Sequence, residues 1–185
     1  MREVGALAQS TEPTTAPTGD DGPDVINRLA GIAAGSPLGR LRAERPEVVR
    51  AAQGSYQALL EPDDPGGVSR SEREMIALRV AVLTPSPPVA AWHRARLRDL
   101  GADDAALVAI ERFPDGPALS ARAAAILRHT DRLTREPGAA TPPHIAALKA
   151  VGLSPRDIVT ISQLIAYLSF EVRTLVGLRL LEEER

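Results

Sequence analysis

The sequence predicts an all-α protein, a helical bundle, and three observations support this prediction. Apolar residues make up 44% of the 185 positions but aromatic residues only 3%, so aliphatic side chains, many from the good helix formers Ala and Leu, must fill the core. Apolar residues recur at spacings of three and four, as they do on one face of a helix. No segment shows the period of two that is typical of a half-buried strand.

Residues 1–23 are expected to form a disordered tail, because Thr, Pro, Gly and Asp dominate positions 11–23 and offer little to bury. The length of the chain favours one domain, which we place at residues 24–185, with an N-terminal helical extension before its core. Helix starts are predicted where a capping residue or a first-turn proline precedes an apolar run. These starts are Asp24, Ser36, Pro46, Ser69, Asp103, Ser120, Thr141 and Ser154.

Two of these helices carry the most information. Ser69 and Glu72 form a Ser-x-x-Glu capping box at the start of a strongly apolar helix, which must stop at the proline-rich run 84–88. The last helix starts after Ser154 and reaches about Glu182, with a kink or break allowed along the way. It is apolar around most of its circumference over residues 164–170, as in a helix buried centrally or in an oligomer interface.

A weak internal repeat of a three-helix unit is visible. His93 and Gly101 are eight residues apart, and so are His144 and Gly152, each Gly being followed by a cap and an apolar run. Each unit also follows a capped helix, and the two units lie roughly 50 residues apart. The alternative is a coincidence between helices rich in Ala and Leu.

The charge balance and the absence of cysteine exclude several classes of function. The chain has 22 basic and 24 acidic residues and a net charge of −2, which argues against a nucleic-acid or anionic-membrane surface as the main activity. No cysteine is present, so disulfides, thiolate metal sites and a cysteine nucleophile are excluded. No apolar stretch is long enough to span a membrane, no signal peptide is recognised, and a cytoplasmic location is the default expectation.

The three histidines, His93, His129 and His144, do not pair at the spacings of a metal site on a helix. Gly-rich nucleotide-binding loops and the Gly-x-Ser-x-Gly motif are also absent. We therefore expect neither a metal nor a cofactor.

Glu74 and His93 are the candidate chemical groups. Glu74 lies at the edge of the apolar stripe of its helix, where a carboxyl against apolar walls has a raised pKa and can act as acid or base. The simpler interpretation, which the sequence alone favours, is a surface Glu paired with Arg70 four residues earlier. His93 lies beside Trp92 near a helix start, at the mouth of a pocket, or else it is a half-buried His that packs locally.

Glu171 and Arg173 lie in the apolar last helix, and charges in such a setting need partners. The simpler interpretation is a core helix whose charged residues lie along an exposed edge.

The segment from Glu74 to Gly101 resembles the core of the carboxymuconolactone decarboxylase (CMD) and alkylhydroperoxidase D-like superfamily. In the peroxidase branch of that superfamily, a Glu precedes a Cys-x-x-Cys motif by twelve residues and a His follows the second Cys by four. Counting back from His93 places the cysteine positions at Ser86 and Val89, and twelve before Ser86 is Glu74. The Glu and the His are thus present and both cysteines are absent. The likeness extends over about residues 24–182 and is nearest to a subgroup without the cysteine motif.

The resemblance implies an all-α fold, homo-oligomers such as trimers or hexamers, and a Glu–His proton relay. Transferred to this sequence, the resemblance implies that Glu74 and His93 are the catalytic residues and that Ser86, Val89 and Trp92 bind the substrate. Ser86 cannot replace a peroxide-attacking thiolate, because its hydroxyl is a far weaker nucleophile and forms no disulfide.

Three functions follow from the resemblance. The first is a cofactor-independent acid–base enzyme that acts on a small metabolite. The second is a non-catalytic subunit or small-molecule binding module that pairs with a cysteine-bearing homologue. The third is the peroxidase activity of the family, which the missing cysteines disfavour.

Overall fold

Nine α-helices and one short 3-10 turn make up the part of the chain that the structure, a computed structural model, describes: residues 24–183. No strand occurs within this range, which confirms the predicted all-α class. The predicted tail, 1–23, lies outside the described residues. The helices are α1 (Val25–Ala30), α2 (Pro37–Ala43), α3 (Pro46–Leu60), α4 (Arg70–Leu83), α5 (Pro87–Asp99), α6 (Asp104–Glu111), α7 (Ala121–Arg135), α8 (Pro142–Ala150) and α9 (Pro155–Glu183).

Local signals set the ends of these helices. The Asp24 side chain accepts hydrogen bonds from two backbone N–H groups of α1, and the Ser69–Glu72 capping box is complete at the start of α4. Gly101 and Gly152 follow α5 and α8 with φ of +92° and +85°, a left-handed conformation that glycine adopts without a steric penalty. These ends agree with the prediction because each depends only on residues within one turn.

The proline-rich run ends α4 but does not delay α5. Pro87 and Pro88 are the first two residues of α5. A proline is tolerated there because the N–H groups of the first turn have no partner within the helix.

Helix α4 lies at the centre of the molecule. Every residue from Arg73 to Ala81 is buried, and α4 packs against α3, α5, α6, α7 and α9. The buried apolar side chains of the described helices form a cluster that runs from Val25 in α1 to Leu175 in α9. A helix that is enclosed on all sides must pair its own charged residues inside the protein.

Helix α9 supports the other side of α4 and contacts α1, α2, α3, α7 and α8 as well. It is one uninterrupted helix of 29 residues, without the break for which the sequence left room. No helix in the described range has the combination of length and apolarity that crossing a membrane requires.

The order of the helices agrees with the predicted repeat. Helices α7 and α9 begin 51 residues after α4 and α6, and α8 begins 55 residues after α5. The caps Ser69 and Ser120 occupy equivalent places, before α4 and α7. At the offset of 51 residues, His144 is the counterpart of His93, and Ala125 is the counterpart of Glu74.

Candidate active site

The packing of α4 on α5 brings Glu74 and His93 together in the interior. His93 Nδ1 lies 2.6 Å from Glu74 Oε2, and the two residues are 0% and 1% exposed. The simpler interpretation of each residue was therefore wrong. Glu74 is not a surface partner of Arg70, because α4 is enclosed on every side. His93, on the neighbouring helix α5, is completely buried rather than half-buried.

The hydrogen bond fixes which nitrogen of His93 carries the proton. An ionised carboxylate only accepts hydrogen bonds, so Nδ1–H of His93 donates to Glu74. In the neutral imidazole, Nε2 is then an acceptor with a free lone pair. This Nε2 is buried and has no partner among the described residues.

Arg96 holds the other oxygen of the carboxylate. Its Nε donates to Glu74 Oε1 at 2.6 Å. Burial by itself raises the pKa of Glu74, but the hydrogen bonds and charges of His93 and Arg96 outweigh it and lower the pKa below its usual value. Glu74 is therefore ionised at neutral pH, contrary to the raised pKa that the sequence pattern allowed.

A second layer of polar side chains supports Arg96 on its outer side. Arg96 pairs with Glu61 Oε1 at 2.7 Å, and Tyr56 OH donates to the same oxygen at 3.3 Å. Burial raises the pKa of Tyr56 to about 12, so its phenol stays protonated. Glu61, Glu74 and Arg96 also line a depression of about 280 Å³ at the surface. The ion pair therefore reaches from the protein surface to His93.

Trp92 lies on this outer side. Its indole N–H donates to Tyr56 OH at 3.4 Å, and the guanidinium groups of Arg28 and Arg96 lie 5.5 and 5.9 Å from the centre of its ring. Trp92 is half-buried and forms part of the support for Arg96.

Val89 lies one turn before His93 on the same face of α5, and Ser86 directly precedes the helix; these are the positions at which the resemblance places the two cysteines of the peroxidase branch. Residues four apart share one face of a helix, and Val89 precedes His93 by this spacing. Both cysteine positions are buried, with 0% exposure for Val89 and 5% for Ser86. The Ser86 side chain makes no capping hydrogen bond at the start of α5.

Helix α9 contributes a residue whose role the sequence did not indicate. Glu171 is 0% exposed, and Tyr167 OH donates to its Oε2 at 3.0 Å, while its Oε1 is buried without a partner in the described range. Burial raises the pKa of Glu171, against the opposing effects of the His93 charge and of the Tyr167 hydrogen bond. Glu171 is thus close enough to His93 to interact electrostatically, and the idea of an exposed charged edge was wrong for this residue.

One feature of the sequence pointed to this arrangement. A lone carboxylate within an apolar helix needs a partner. The position of Glu171 relative to α5, however, follows from the packing of α9 and not from any local sequence pattern. Among the described residues, no group of three or more His, Asp and Glu side chains is arranged to hold a metal ion.

Comparisons with known proteins agree with this fold. The sequence profile of the Carboxymuconolactone decarboxylase family matches residues 46–132, a span that contains Glu74, Ser86, Val89 and His93. Together with the shared fold, this match supports membership in the CMD and alkylhydroperoxidase D-like superfamily. No curated protein sequence matches the chain significantly.

Solved structures of bacterial proteins share the architecture. An uncharacterised peroxidase-related protein from Silicibacter sp. TM1040 is 22% identical, with a TM-score of 0.67 and 93% of each chain covered. A protein from Ralstonia eutropha JMP134, described as an alkylhydroperoxidase AhpD core, is 21% identical, with a TM-score of 0.66 over 82% of this chain and 80% of that chain. A protein of unknown function from Agrobacterium tumefaciens, associated by name with the antioxidant defence protein AhpD, is 20% identical, with a TM-score of 0.66 over 75% of this chain and 92% of that chain. At these identities the likeness concerns the fold.

Proposed function

We propose that the protein is a cofactor-independent acid–base enzyme that acts on a small metabolite, with His93 and Glu74 as its proton-transfer pair. The two residues keep the contact that a proton relay requires, although the chain has no thiol for the relay to activate. In this proposal the imidazole acts directly on the substrate.

The proposal gives each group a distinct task. His93 Nε2 accepts a proton from an acidic C–H or O–H of the substrate. Glu74 holds Nδ1–H and stabilises the imidazolium that forms, and the fixed tautomer keeps the Nε2 lone pair available. Arg96 keeps Glu74 ionised, so the carboxylate acts as an orienting group and does not compete for the proton.

We assign Glu171 the role of the matching acid, and the observation that carries the proposal is that His93 Nε2 and Glu171 Oε1 are both buried without a partner in the described range. The raised pKa of Glu171 favours the protonated form, and because Tyr167 already donates to Oε2, the proton belongs on Oε1. The interior then contains a donor, Oε1–H, and an acceptor, His93 Nε2, each without a partner. Leaving two buried polar groups unpaired costs about 1–3 kcal/mol each, and a small polar ligand between them removes that cost.

Access to this interior requires movement, because His93 is 0% exposed. The segment between α4 and α5, residues 84–86, includes Ser86 and precedes the face that carries Val89 and His93. We assign the entry to this segment and the walls of the substrate site to Ser86 and Val89.

The complete burial of His93 also favours a second candidate function. A non-catalytic subunit or binding module that pairs with a cysteine-bearing homologue needs no open path from solvent to His93. In that case Glu74, His93 and Arg96 serve as a structural ion pair.

An untargeted turnover experiment separates the two candidates. The protein is incubated in D₂O with a small-molecule extract of its native host, and mass spectrometry follows compounds that are consumed or gain deuterium. We expect such changes with the wild type and their loss with His93→Gln and Glu74→Gln, because each variant lacks one half of the proton-transfer pair. Glu47→Gln, which removes an exposed carboxylate, is the matched control and should retain the changes.

Circular dichroism confirms that each variant is folded before the comparison. If the folded wild type changes no compound, or if His93→Gln and Glu74→Gln change the same compounds at the same rate, the acid–base function is wrong. Co-purification of a cysteine-bearing homologue from the host, without turnover, would then support the binding module.

A further inference from the structure

A separate cleft of about 540 Å³ lies between α7, α8 and the segment that joins α6 to α7. We call it the α7–α8 cleft. It contains none of the residues of the candidate active site. Its lining combines three arginines and two histidines with apolar side chains that include Phe113, Ala125 and Ala147.

Three arginines of α7 give the cleft its charge. Arg128, Arg132 and Arg135 follow one another at spacings of four and three, so they form one stripe on the helix. Within the described range, Arg128 makes only a ring contact with Phe113, at 6.0 Å from the ring centre, and Arg132 lies 4.0 Å from Glu136. No hydrogen bond or ion pair within that range engages Arg135. These guanidinium groups are available to an anion.

The carboxylates of the cleft leave Arg128 and Arg135 of this stripe without an ion pair in the described range. Asp131 is held by Arg79 through two contacts of 2.6 Å, so its charge is already matched. Glu136 is exposed beyond the end of α7. The planar fork of an unpaired arginine matches a carboxylate, and the site therefore favours a ligand with an anionic group.

His129 adds a second, independent requirement. It is 5% exposed, and its Nε2 lies 3.3 Å from Ser162 Oγ. The only proton of that hydroxyl is donated to Ile158 O at 2.8 Å, so Ser162 must accept and His129 Nε2 must carry the hydrogen. Nδ1 is then a buried acceptor, and it has no partner in the described part of the chain. Because His129 lines the cleft, we assign to the ligand a donor for this nitrogen, such as a hydroxyl.

The opposite wall offers a further donor. The backbone N–H of Thr141 donates to His144 Nδ1 at 3.0 Å, so the proton of the neutral His144 ring is on Nε2. His144 lines the cleft from α8, where this N–H adds to the groups that can hold an anion.

By the 51-residue offset of the repeat, the cleft lies at the place equivalent to the Glu74–His93 pair. Ala125 stands where the first unit has Glu74, and His144 stands where it has His93. A methyl group in place of a carboxylate leaves space and removes the ion pair that closes the first unit. Ala125, Ala147 and Phe113 supply apolar walls instead.

We propose that the α7–α8 cleft binds a small hydroxylated carboxylate. The carboxylate lies on the arginine stripe, the apolar body lies against Phe113, Ala125 and Ala147, and the hydroxyl donates to His129 Nδ1. This assignment does not depend on the proton-transfer pair of the candidate active site.

A matched set of three flexible probes tests this assignment by titration, followed by NMR or calorimetry. The probe 6-hydroxyhexanoate has both groups, hexanoate lacks the hydroxyl, and 1,6-hexanediol lacks the carboxylate. The flexible chain lets the hydroxyl reach His129 from any position of the anion on the stripe. We expect 6-hydroxyhexanoate to bind about fivefold more tightly than hexanoate and about tenfold more tightly than the diol, as one neutral and one charge-assisted hydrogen bond require.

The double variant Arg128→Ala with Arg135→Ala should weaken binding of 6-hydroxyhexanoate about tenfold or more. Both side chains are exposed, so the fold should tolerate their removal. The control is Arg50→Ala with Arg156→Ala, which removes two exposed arginines outside the cleft and should leave binding unchanged. The ¹⁵N resonance of His129 Nδ1, which reports a lone pair in the free protein, should shift when the probe donates to it.

Failure of 6-hydroxyhexanoate to bind at millimolar concentration would overturn the proposal. Equal affinity for hexanoate, or equal loss in the two double variants, would overturn it as well. The probe comparison uses only the wild-type protein, so a folding defect in a variant cannot obscure the result.

Discussion

Four buried side-chain atoms in the described part of the chain have no hydrogen-bond partner: His93 Nε2, Glu171 Oε1, His129 Nδ1 and Thr134 Oγ1. Such a group costs about 1–3 kcal/mol, so its retention calls for a reason. The first two complement each other as acceptor and donor beside Glu74, and the third lines the α7–α8 cleft. Nothing in the structure accounts for Thr134. At the scale of single residues, three of these unpaired polar atoms support the two small-molecule sites that we propose.

Replacement of Glu74 by Gln should make the free energy of unfolding fall less steeply as the pH is lowered. The pKa of Glu74 is lowered in the folded protein, so its ionised form contributes stability above the unfolded pKa. That contribution is lost as the pH falls through the lower, folded value. Urea unfolding between about pH 6 and pH 3 should show a smaller loss of stability for Glu74→Gln than for the wild type.

Glu72 and Asp157 also have lowered pKa values, so a residual slope is expected in both proteins. Glu47→Gln controls for the loss of one surface charge. Parallel curves for Glu74→Gln and the wild type would show that the ion pair with His93 and Arg96 contributes no pH-linked stability.

At the scale of elements, buried arginines of α4 connect the helix to its surroundings. Arg73, only 3% exposed, donates to the carbonyls of Leu59, Val68 and Pro65 at 2.6, 3.0 and 2.8 Å. These hydrogen bonds hold the segment between α3 and α4 in place, and Glu61 at the start of that segment is thereby positioned at the candidate active site. Arg79 connects α4 in the same way to Asp131 of α7. A central helix with buried cations thus orders the connections around it.

Arg73→Met should destabilise the protein by about 3 kcal/mol, because it keeps the length of the side chain but leaves three carbonyls without their donor. Arg70→Met is the matched control on the same helix. Arg70 is exposed and makes one longer hydrogen bond, 3.3 Å to Pro62 O, so we expect a change within about 0.5 kcal/mol. Urea denaturation measures both values, and a similar effect of the two substitutions would contradict this account.

What could be predicted from the sequence depends on whether a contact is local or tertiary. The ends of α1, α4 and α7 follow from caps such as Asp24, Ser69 and Ser120, which act within one turn. The partners of Glu74, which are His93 and Arg96, are 19 and 22 residues away. Because all sides of α4 are buried, Glu74 pairs with them and not with Arg70. Glu171 meets the site only through the packing of α9. Tertiary contacts of this kind leave no local pattern to read.

At the scale of the whole molecule, α9 presents an apolar stripe to solvent. Val159, Phe170 and Leu181 follow one another at intervals of eleven residues, about three helical turns, and are 56%, 43% and 46% exposed. Phe170 also borders a groove of about 830 Å³ between α3 and α9, lined mostly by apolar side chains. An exposed apolar groove of this kind is typical of an interface. A homo-oligomer therefore remains our prediction, with this stripe at its interface.

Phe170→Asp combined with Leu181→Asp should dissociate the oligomer, because burial of two carboxylates in an apolar interface is costly. Light scattering after size-exclusion chromatography measures the mass. Val108→Asp, on α6 with 39% exposure, is the control and should leave the mass unchanged. A monomeric wild type, or a double variant of unchanged mass, would exclude the stripe as the interface.

The absence of cysteine in the whole chain leads to the last prediction. Thiol-dependent peroxide reduction needs one sulfur to take the oxygen and a second to close the disulfide, and the chain has no cysteine to supply either. The wild type should therefore reduce no alkyl hydroperoxide with any dithiol as donor, as measured by the loss of peroxide. Turnover above that of a boiled sample would overturn this account of the chain.

Restoring the sulfurs tests whether the site has kept its register. Ser86→Cys with Val89→Cys places one thiol directly before α5 and the other on the face of α5 that carries His93 one turn further on. The buried imidazole and its ion pair with Glu74 are already formed, so the variant should oxidise reversibly to a disulfide and gain peroxide reduction. Adding His93→Gln should remove the gain but keep the disulfide, because the relay assists the attacking thiolate and not the pairing of the two sulfurs. Val82→Cys with Ala91→Cys, at two other positions of α4 and α5, is the control and should show no activity. If this control and Ser86→Cys with Val89→Cys were equally active, the reaction would not depend on the Glu74–His93 pair.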